Sequence, residues 1–270
     1  MRPTASIVTN RIDELFRTRP ERVLSVYYTA GFPQLEATLS IAAALEKAGA
    51  DMLEIGMPYS DPLADGPVIQ HSSEVAIKNG MTLHLLFQQL QQLRNHCRLP
   101  VLLMGYVNPV MQYGFERFCH QAARCGVDGI ILPDMPLDDV QRHKPLFRKY
   151  GLHTVLLVTP HTPAARVRKI ASLCSGFVYM VSAATTTGRQ SGFSSAQTAY
   201  FNRIKKMGLN RPLLIGFGIH DAHTYRVACQ YANGAIVGSY FIRLLEKYAP
   251  DKAARTLLKK LTRHDNSVEG

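Results

Sequence analysis

The chain has 270 residues, 46% of them hydrophobic, and its 31 Lys and Arg outnumber its 20 Asp and Glu to give a formal net charge of +11. This length is typical of one barrel of eight β/α units. It contains no run of about eighteen apolar residues, so we expect no membrane-spanning helix. Residues 1–16 lack the apolar stretch and the cleavage site of a secretion signal. We therefore predict a single domain over 1–270, located in the cytoplasm.

The positive charge is spread along the chain, with modest concentrations near its two ends. A basic run interleaved with aromatic residues is typical of a nucleic-acid-binding site, and no such run is present. Lys252, Arg255 and Lys259 have the spacing of a solvated helix face. We predict no nucleic-acid partner and no membrane partner. A positive surface would instead favour encounters with a small anionic substrate.

The cysteines are odd in number and form no C-x-x-C pair: Cys97, Cys119, Cys125, Cys174 and Cys229. This pattern predicts reduced thiols rather than a disulfide framework or a zinc site. The ten histidines show no ligand spacing with carboxylates or cysteines. No nucleotide-binding motif or cofactor lysine signature is present, so we predict neither a metal nor a cofactor.

The pattern along the chain is a short strand followed by an amphipathic helix, repeated. We predict strands at 22–29, 51–56, 100–107, 128–132, 153–158, 176–181, 212–216 and 234–238. The stretch between the second and third strands is long enough for more than one helix. Eight such units predict an α/β fold, a (β/α)8 TIM barrel with extra helices. An open doubly wound sheet is the alternative, but no G-x-G-x-x-G follows the first strand.

Two acidic residues lie near the point where the second predicted strand ends and its loop begins. Glu54 lies inside the apolar strand, and Asp65 follows in a loop rich in Pro, Asp and Gly. The active sites of barrel enzymes lie at the carboxyl ends of the strands, so both residues would face that end. Desolvation should raise the pKa of Glu54, and two carboxyl groups in unlike surroundings can hold one proton and one charge. The alternatives are a buried Arg or Lys beside Glu54, and simple turns at Asp61-Pro62 and Asp65-Gly66.

Glycine-rich segments follow each of the last three predicted strands, at 182–192, 216–220 and 234–239. The last runs into a helix that should begin near Ser239. Barrels often bind phosphate at this end, where glycine admits an anion to free backbone N–H groups. We therefore predict phosphate contacts for Gly218, Gly238 and Ser239, and a mobile lid in 182–192. The alternatives are tight turns, a helix cap at Ser239 and an ordinary surface loop.

Motifs over nearly the whole chain carry a family resemblance: YYTAGFP (27–33), LEIGMPYSDPLADGPVIQ (53–70), VNP (107–109), PDMP (133–136), YMVSAATTTG (179–188) and GAIVGS (234–239). Together they resemble the α subunit family of tryptophan synthase. In that family a TIM barrel cleaves indole-3-glycerol phosphate to indole and glyceraldehyde 3-phosphate. The indole then passes to a pyridoxal-phosphate-dependent β subunit. The resemblance therefore implies a carbon–carbon lyase of tryptophan biosynthesis and an α2β2 heterotetramer.

The resemblance also implies roles for individual residues. Glu54 matches the catalytic glutamate, and Asp65 matches the aspartate that contacts the indole nitrogen. The other implied roles are substrate contacts for Tyr27, Tyr179 and Thr187, phosphate contacts for Gly188, Gly218, Gly238 and Ser239, and partner-facing positions for Asp61, Pro62 and Asp134.

The lid departs from the family pattern. Many members read SRAGVTG where this chain reads SAATTTG, with Ala183 in place of the arginine. The departure is the one feature that favours a second hypothesis, a non-catalytic regulatory module that activates a β-type partner. The presence of Glu54 and Asp65 argues against it. A third hypothesis, a stand-alone indole-releasing lyase, is not separated from the first by the sequence.

Overall fold

The computed structural model describes residues 10–62, 64–182 and 192–262. Eight parallel strands form a closed barrel in chain order, and the last strand pairs with the first. The strands are β1 (Val23–Thr29), β2 (Met52–Gly56), β3 (Val101–Met104), β4 (Gly129–Ile131), β5 (His153–Val158), β6 (Val178–Val181), β7 (Leu213–Gly216) and β8 (Gly234–Val237). The predicted TIM barrel is confirmed.

The helices of the described residues surround this barrel. They are α1 (Arg11–Thr18), α2 (Ala37–Ala48), α3 (Pro67–Lys78), α4 (Leu83–Leu90), α5 (Leu93–His96), α6 (Val107–Tyr113), α7 (Phe115–Arg124), α8 (Leu137–Lys149), α9 (Ala164–Leu173), α10 (Ser195–Lys206), α11 (Ala222–Tyr231), α12 (Ser239–Leu245) and α13 (Pro250–Thr262). Three of them, α3 to α5, fill the stretch between β2 and β3, as the length of that stretch predicted. None of the described helices is long and apolar enough to cross a bilayer.

The third strand is shorter than the predicted 100–107, because α6 already begins at Val107. The backbone N–H of Val107 donates to both carboxylate oxygens of Asp134, at 3.0 and 3.2 Å. An acidic side chain at the first turn satisfies a free N–H group and complements the helix dipole. This contact comes from the loop after β4, so a propensity argument on β3 alone does not reveal it.

Alternate residues of each strand point into the barrel, where a mainly apolar cluster fills the interior. Its buried members are Ile12, Val23, Met52, Leu102, Ile131, Val155, Phe177, Tyr179, Leu214 and Ile236. Glu54 shares the interior face of β2 with Met52, and its register partners are Tyr27 on β1 and Leu102 on β3. A carboxyl group therefore stands in the wall of an otherwise apolar interior.

An ion-pair cluster lies at the opposite end of the barrel, where the strands begin. Asp128, just before β4, is 3% exposed at its side chain and pairs with Arg11 at 3.0 Å and Arg94 at 2.7 Å. It also accepts the backbone N–H of Val101 at 2.8 Å. This cluster joins α1, α5 and the starts of β3 and β4. In barrel enzymes, residues at this end contribute to stability. The five cysteines, all within the described residues, are unpaired in this structure.

Candidate active site

A cleft opens at the end of the barrel where the strands finish. The residues that line it are Tyr27, Asp65, Ile69, Met104, Tyr179, Phe217, Ile236, Gly238 and Ser239. Five residues singled out in the sequence therefore meet in one cleft: Tyr27, Asp65, Tyr179, Gly238 and Ser239. Its other walls are apolar, so the cleft suits a ligand with a hydrophobic body and a few polar groups.

Glu54 is fully buried in the barrel wall. Its Oε1 accepts a hydrogen bond of 2.8 Å from the Ser25 hydroxyl, and its Oε2 has no hydrogen-bond partner. Burial raises the pKa of Glu54 to about 8, and the Ser25 hydrogen bond opposes that rise. The sequence left open a buried Arg or Lys beside Glu54, but no ion pair to Glu54 is found among the described residues. Its hydrogen-bond partner is Ser25 instead. A carboxyl group with this pKa can both give and take a proton near neutral pH.

Two tyrosines reach across the interior near Glu54, and two glycines make room for them. A Cβ atom at Gly56 would collide with the hydroxyl group of Tyr27, and a Cβ atom at Gly216 would collide with the ring of Tyr179. Both hydroxyl groups have pKa values raised by burial, with the charges of Glu54 and Asp65 adding to the rise. The tyrosines therefore stay neutral, and both form aromatic walls of the cleft.

Asp65 is held by a residue that the sequence did not single out. Tyr106 donates its hydroxyl proton to Asp65 Oδ2 at 2.9 Å, and the backbone N–H of Ala64 donates to the same hydroxyl oxygen at 3.0 Å. Burial raises the pKa of Asp65 above its ordinary value, and the Tyr106 hydrogen bond opposes that rise. The loop carboxyl is thus also partly desolvated. Its environment differs from that of Glu54 less than the sequence alone implied.

Gly238 and Ser239, two of the predicted phosphate residues, both line the cleft. Helix α12 begins at Ser239, at the predicted position, and Gly238 is its N-cap residue. The third predicted phosphate residue, Gly218, does not line the cleft but directly follows Phe217, which does. Thr187, Gly188 and most of the predicted lid lie outside the described residues.

The loop after β7 has an unusual backbone. Phe217 has a φ of 72° and Gly218 a φ of 76°. A left-handed conformation is costly for a bulky residue such as Phe and persists only where its surroundings enforce it. Ser182 supplies part of that constraint, because its hydroxyl lies 3.1 Å from the carbonyl oxygen of Gly216 and 2.8 Å from that of Phe217. The ring of Phe217 is thereby fixed in the wall of the cleft.

The predicted partner-facing residues lie on loops beside the cleft. Asp61 and Asp134 are exposed, and Pro62 is partly exposed. Asn108 donates to the hydroxyl oxygen of Tyr59 at 3.1 Å, and the Tyr59 ring lies 5.3 Å from that of Tyr106. These contacts join the loop after β2 to Tyr106 and the first turn of α6, so the outer surface is connected with the side chain that holds Asp65.

The protein is a (β/α)8 barrel with two carboxyl groups of raised pKa near the carboxyl ends of its strands. These features are typical of barrel enzymes that use acid–base chemistry. The sequence model of the family described as tryptophan synthase alpha chain matches residues 15–269. The chain belongs to the tryptophan synthase alpha chain family.

Individual relatives agree with this assignment. The tryptophan synthase alpha chain of Bacteroides fragilis is 47% identical over 261 residues, which are 96% of this chain and 99% of that protein. The alpha chain of Flavobacterium psychrophilum is 49% identical over 237 residues, 87% of this chain and 93% of that one. In the solved alpha chain of Legionella pneumophila, the TM-score is 0.84 at 34% identity, with 94% of this chain and 96% of that chain covered. In the aminoacrylate-bound tryptophan synthase of M. tuberculosis the TM-score is 0.81 at 28% identity, with coverage of 94% and 98%.

Proposed function

We propose that this protein cleaves indole-3-glycerol phosphate to indole and glyceraldehyde 3-phosphate, with Glu54 as its acid–base group and Asp65 as its charge-stabilising group. The observation that carries the proposal is the arrangement of Asp65, two tyrosines and the start of α12 in one cleft, with Glu54 in the barrel wall beside them. We infer the reaction from the family, and we infer the residues that perform it from the arrangement of the cleft.

The bond that breaks joins C3 of the indole ring to the first glycerol carbon. Cleavage requires a proton on C3 and loss of the proton from the hydroxyl group on that glycerol carbon. The hydroxyl oxygen then becomes the aldehyde oxygen, and the bonding electrons return to the indole ring. Glu54 can pass one proton between these two sites, because burial raises its pKa to about 8 and its Oε2 is unpartnered. Proton transfer by a positioned group is worth about 10²- to 10⁴-fold in rate.

Protonation of C3 places positive charge on the ring nitrogen. An ionised Asp65 that accepts the ring N–H would stabilise this charge most in the transition state, which is where stabilisation raises the rate. Tyr106 supports that role, because its hydrogen bond to Oδ2 favours the ionised form of Asp65. The second oxygen of Asp65 is left for the substrate.

The rest of the cleft orients the substrate. Ile69, Met104 and Ile236 offer an apolar surface for the indole ring, and Tyr27 and Tyr179 add aromatic faces. Gly238 and Ser239 line the cleft where α12 begins, and the backbone N–H groups at that end suit a phosphate group. We assign Gly218, Thr187 and Gly188 to the same end on the family resemblance alone.

We also infer that the protein works with a tryptophan synthase β subunit in an α2β2 heterotetramer. The exposed positions of Asp61 and Asp134 beside the cleft support a partner surface there. All five cysteines are unpaired, which supports a reducing compartment such as the cytoplasm.

The test is indole release from indole-3-glycerol phosphate by the purified chain, with and without a β subunit. We expect slow release alone and a many-fold rise with the partner. Glu54→Gln should lower the rate by at least about 10²-fold while substrate still binds. Glu74→Gln, the same substitution on an exposed face of α3, is the matched control and should leave the rate unchanged.

Three other outcomes would change the proposal. Full activity in Glu54→Gln would remove Glu54 from the chemistry. No release under either condition, with phosphate-ligand binding intact, would favour the regulatory module. Fast release that the β subunit does not alter would favour the stand-alone lyase.

A further inference from the structure

The hydroxyl group of Tyr27 lies at the carboxyl end of β2, beside the cleft. Tyr27 itself belongs to β1, but a Cβ atom at Gly56, the last residue of β2, would collide with its hydroxyl oxygen. The side chain lines the cleft together with Asp65. Burial raises the pKa of this hydroxyl group, and the charge of Asp65 adds to the rise, so the group keeps its proton.

Two more hydroxyl groups continue from Tyr27 into the barrel wall. Thr29 Oγ1 lies 3.4 Å from the Tyr27 hydroxyl oxygen and 2.6 Å from Ser72 Oγ on α3. Ser72 in turn donates to the carbonyl oxygen of Ile69 at 2.8 Å. Thr29 and Ser72 are both fully buried, so these contacts form a chain of hydroxyl groups that runs from the cleft to the first turns of α3.

The carbonyl group at the end of this chain fixes the direction of its hydrogen bonds. A carbonyl oxygen only accepts, so Ser72 directs its single proton to Ile69. The oxygen of Ser72 then accepts the single proton of Thr29. Thr29 therefore has no proton left to donate to Tyr27, and the proton of the Tyr27 hydroxyl group remains available.

Thr29 is a poor acceptor for the Tyr27 proton. The two oxygen atoms are 3.4 Å apart, whereas hydrogen bonds between hydroxyl groups are typically about 2.7–2.8 Å long. No other acceptor for this proton is found among residues 10–62, 64–182 and 192–262. A donor at the edge of a cleft with only a long contact inside the protein would bond better to an acceptor on a ligand.

We propose that Tyr27 is a specificity-determining residue whose hydroxyl group donates a hydrogen bond to a hydroxyl oxygen on the glycerol chain of the substrate. The inference rests on the proposed function, because it requires a substrate with a hydroxylated chain. An ionised Asp65 only accepts hydrogen bonds, and the aliphatic residues of the cleft supply no donor. A ligand that lacks chain hydroxyl groups would leave the Tyr27 proton with its long contact to Thr29. The cleft would therefore prefer the hydroxylated ligand.

The experiment compares the binding of two ligands with and without the Tyr27 hydroxyl group. The ligands are indole-3-glycerol phosphate and indole-3-propanol phosphate, which has the same ring and phosphate group but no chain hydroxyl groups. Both proteins, with Tyr27 and with Tyr27→Phe, carry Glu54→Gln so that the substrate is not consumed. Because the chain contains no Trp, indole fluorescence reports the ligand alone.

Tyr27→Phe should weaken binding of one ligand and not of the other. We expect the dissociation constant of indole-3-glycerol phosphate to rise by about three- to tenfold, as for the loss of one ordinary hydrogen bond. The constant for indole-3-propanol phosphate should change by less than about twofold, because the phenyl ring keeps its place against Gly56.

Tyr28→Phe is the matched control. It removes the next hydroxyl group along β1, which donates to the carbonyl oxygen of Thr38 on α2 at 3.0 Å, away from the cleft. It should alter the affinity for neither ligand, and urea unfolding of each variant reports any loss of stability. In a chain that keeps Glu54, Tyr27→Phe should raise KM by the same three- to tenfold and change kcat less, because the lost contact is made before the reaction begins.

The pair of ligands decides between a role for the hydroxyl group and a role for the ring. Selective weakening of indole-3-glycerol phosphate in Tyr27→Phe supports the inference. Equal weakening of both ligands would assign Tyr27 to ring packing alone and overturn it, and so would unchanged binding of both. A wild-type chain that binds both ligands but releases no indole would count against the proposed reaction, while the comparison of ligands would still decide the role of Tyr27.

Discussion

Tyr106 and Asp65 are joined by a hydrogen bond of 2.9 Å, and the Tyr106 hydroxyl is itself fixed by the backbone N–H of Ala64 at 3.0 Å. The two residues stand on different loops, after β3 and β2. Because the hydroxyl accepts from one part of the Asp65 loop and donates to another, it orients Asp65 and opposes the rise in its pKa that burial causes. A hydrogen-bond donor of this kind lowers the pKa of a carboxyl group and so favours its ionised form beside an apolar ring.

Replacing this donor should weaken catalysis in a pH-dependent way. In Tyr106→Phe the ring remains against Tyr59 but the hydrogen bond to Asp65 is lost, so the pKa of Asp65 should rise. Because the ionised form is the one we propose to be active, kcat/KM should fall at every pH below neutral and fall most at the acid end. We expect a loss of about tenfold near pH 6, measured as indole release.

Tyr113→Phe is the matched control for this variant. Tyr113 ends α6, and its ring packs against Phe87, away from the cleft. It should retain the wild-type pH profile. A Tyr106→Phe profile that is lowered equally at all pH values would show that Tyr106 acts on Asp65 through orientation alone.

Burial of Glu54 should also cost stability, in a defined pH window. Its pKa is raised from 4.5 to about 8, so the folded state holds a proton that the unfolded state releases between these values. Stability is therefore lost as pH rises from about 4.5 toward 8 and changes little from this group outside that window. Glu54→Gln removes the effect, and its advantage in unfolding free energy should grow by on the order of 3 kcal/mol between about pH 5 and pH 8.

Urea unfolding of wild type and Glu54→Gln at the two pH values measures this difference. Glu74→Gln on the exposed face of α3 serves again as control and should show no such pH dependence. If the advantage of Glu54→Gln were the same at both pH values, the carboxyl group would titrate normally in the folded protein. Its suitability for proton transfer near neutral pH would then be lost.

A substitution at the opposite end of the barrel should lower stability without changing catalysis. Asp128 is 3% exposed at its side chain and pairs with Arg11 and Arg94. Asp128→Asn leaves Arg94 without its buried counter-charge, and breaking a buried pair in this way costs about 3–5 kcal/mol. We expect a loss of that order in urea unfolding, with kcat and KM of the folded fraction unchanged.

Glu14→Gln is the control for Asp128→Asn. Glu14 pairs with Arg17 on the exposed surface of α1, where solvent screens the pair, so its loss should change stability little. A comparable loss in both variants would mean that the Asp128 cluster contributes no more than a surface ion pair. A change in kcat would mean that the two ends of the barrel are coupled.

Much of the barrel could be predicted because its strands are short apolar runs separated by helices of clear period. β2 and β5 differ from their predicted bounds by at most one residue. The third strand was predicted too long, since the helix start at Val107 depends on Asp134, which lies after the next strand. Local propensity therefore sufficed except where a contact from another loop decides the boundary.

The candidate site was predicted unevenly for a similar reason. Glu54 and Asp65 were found from their placement at the end of an apolar strand. Tyr106 and Ser25 were not, because each acts through a hydrogen bond to a residue 41 or 29 positions away in the chain. A sequence gives the strand and the face of such a side chain, whereas its rotamer is decided by its neighbours in the barrel.

Asp134 offers a test of the proposed partner surface. It is exposed, and it accepts the backbone N–H of Val107 at the start of α6, one residue after Tyr106. A β subunit bound at this surface would act on the loop that holds Tyr106, and through it on Asp65. In Asp134→Ala we therefore expect indole release by the isolated chain to stay within about twofold of wild type, while activation by the β subunit falls by about tenfold. Asp138→Ala, whose side chain is 87% exposed on α8, should leave both rates unchanged. Equal activation of Asp134→Ala and wild type would place the partner surface elsewhere on the barrel.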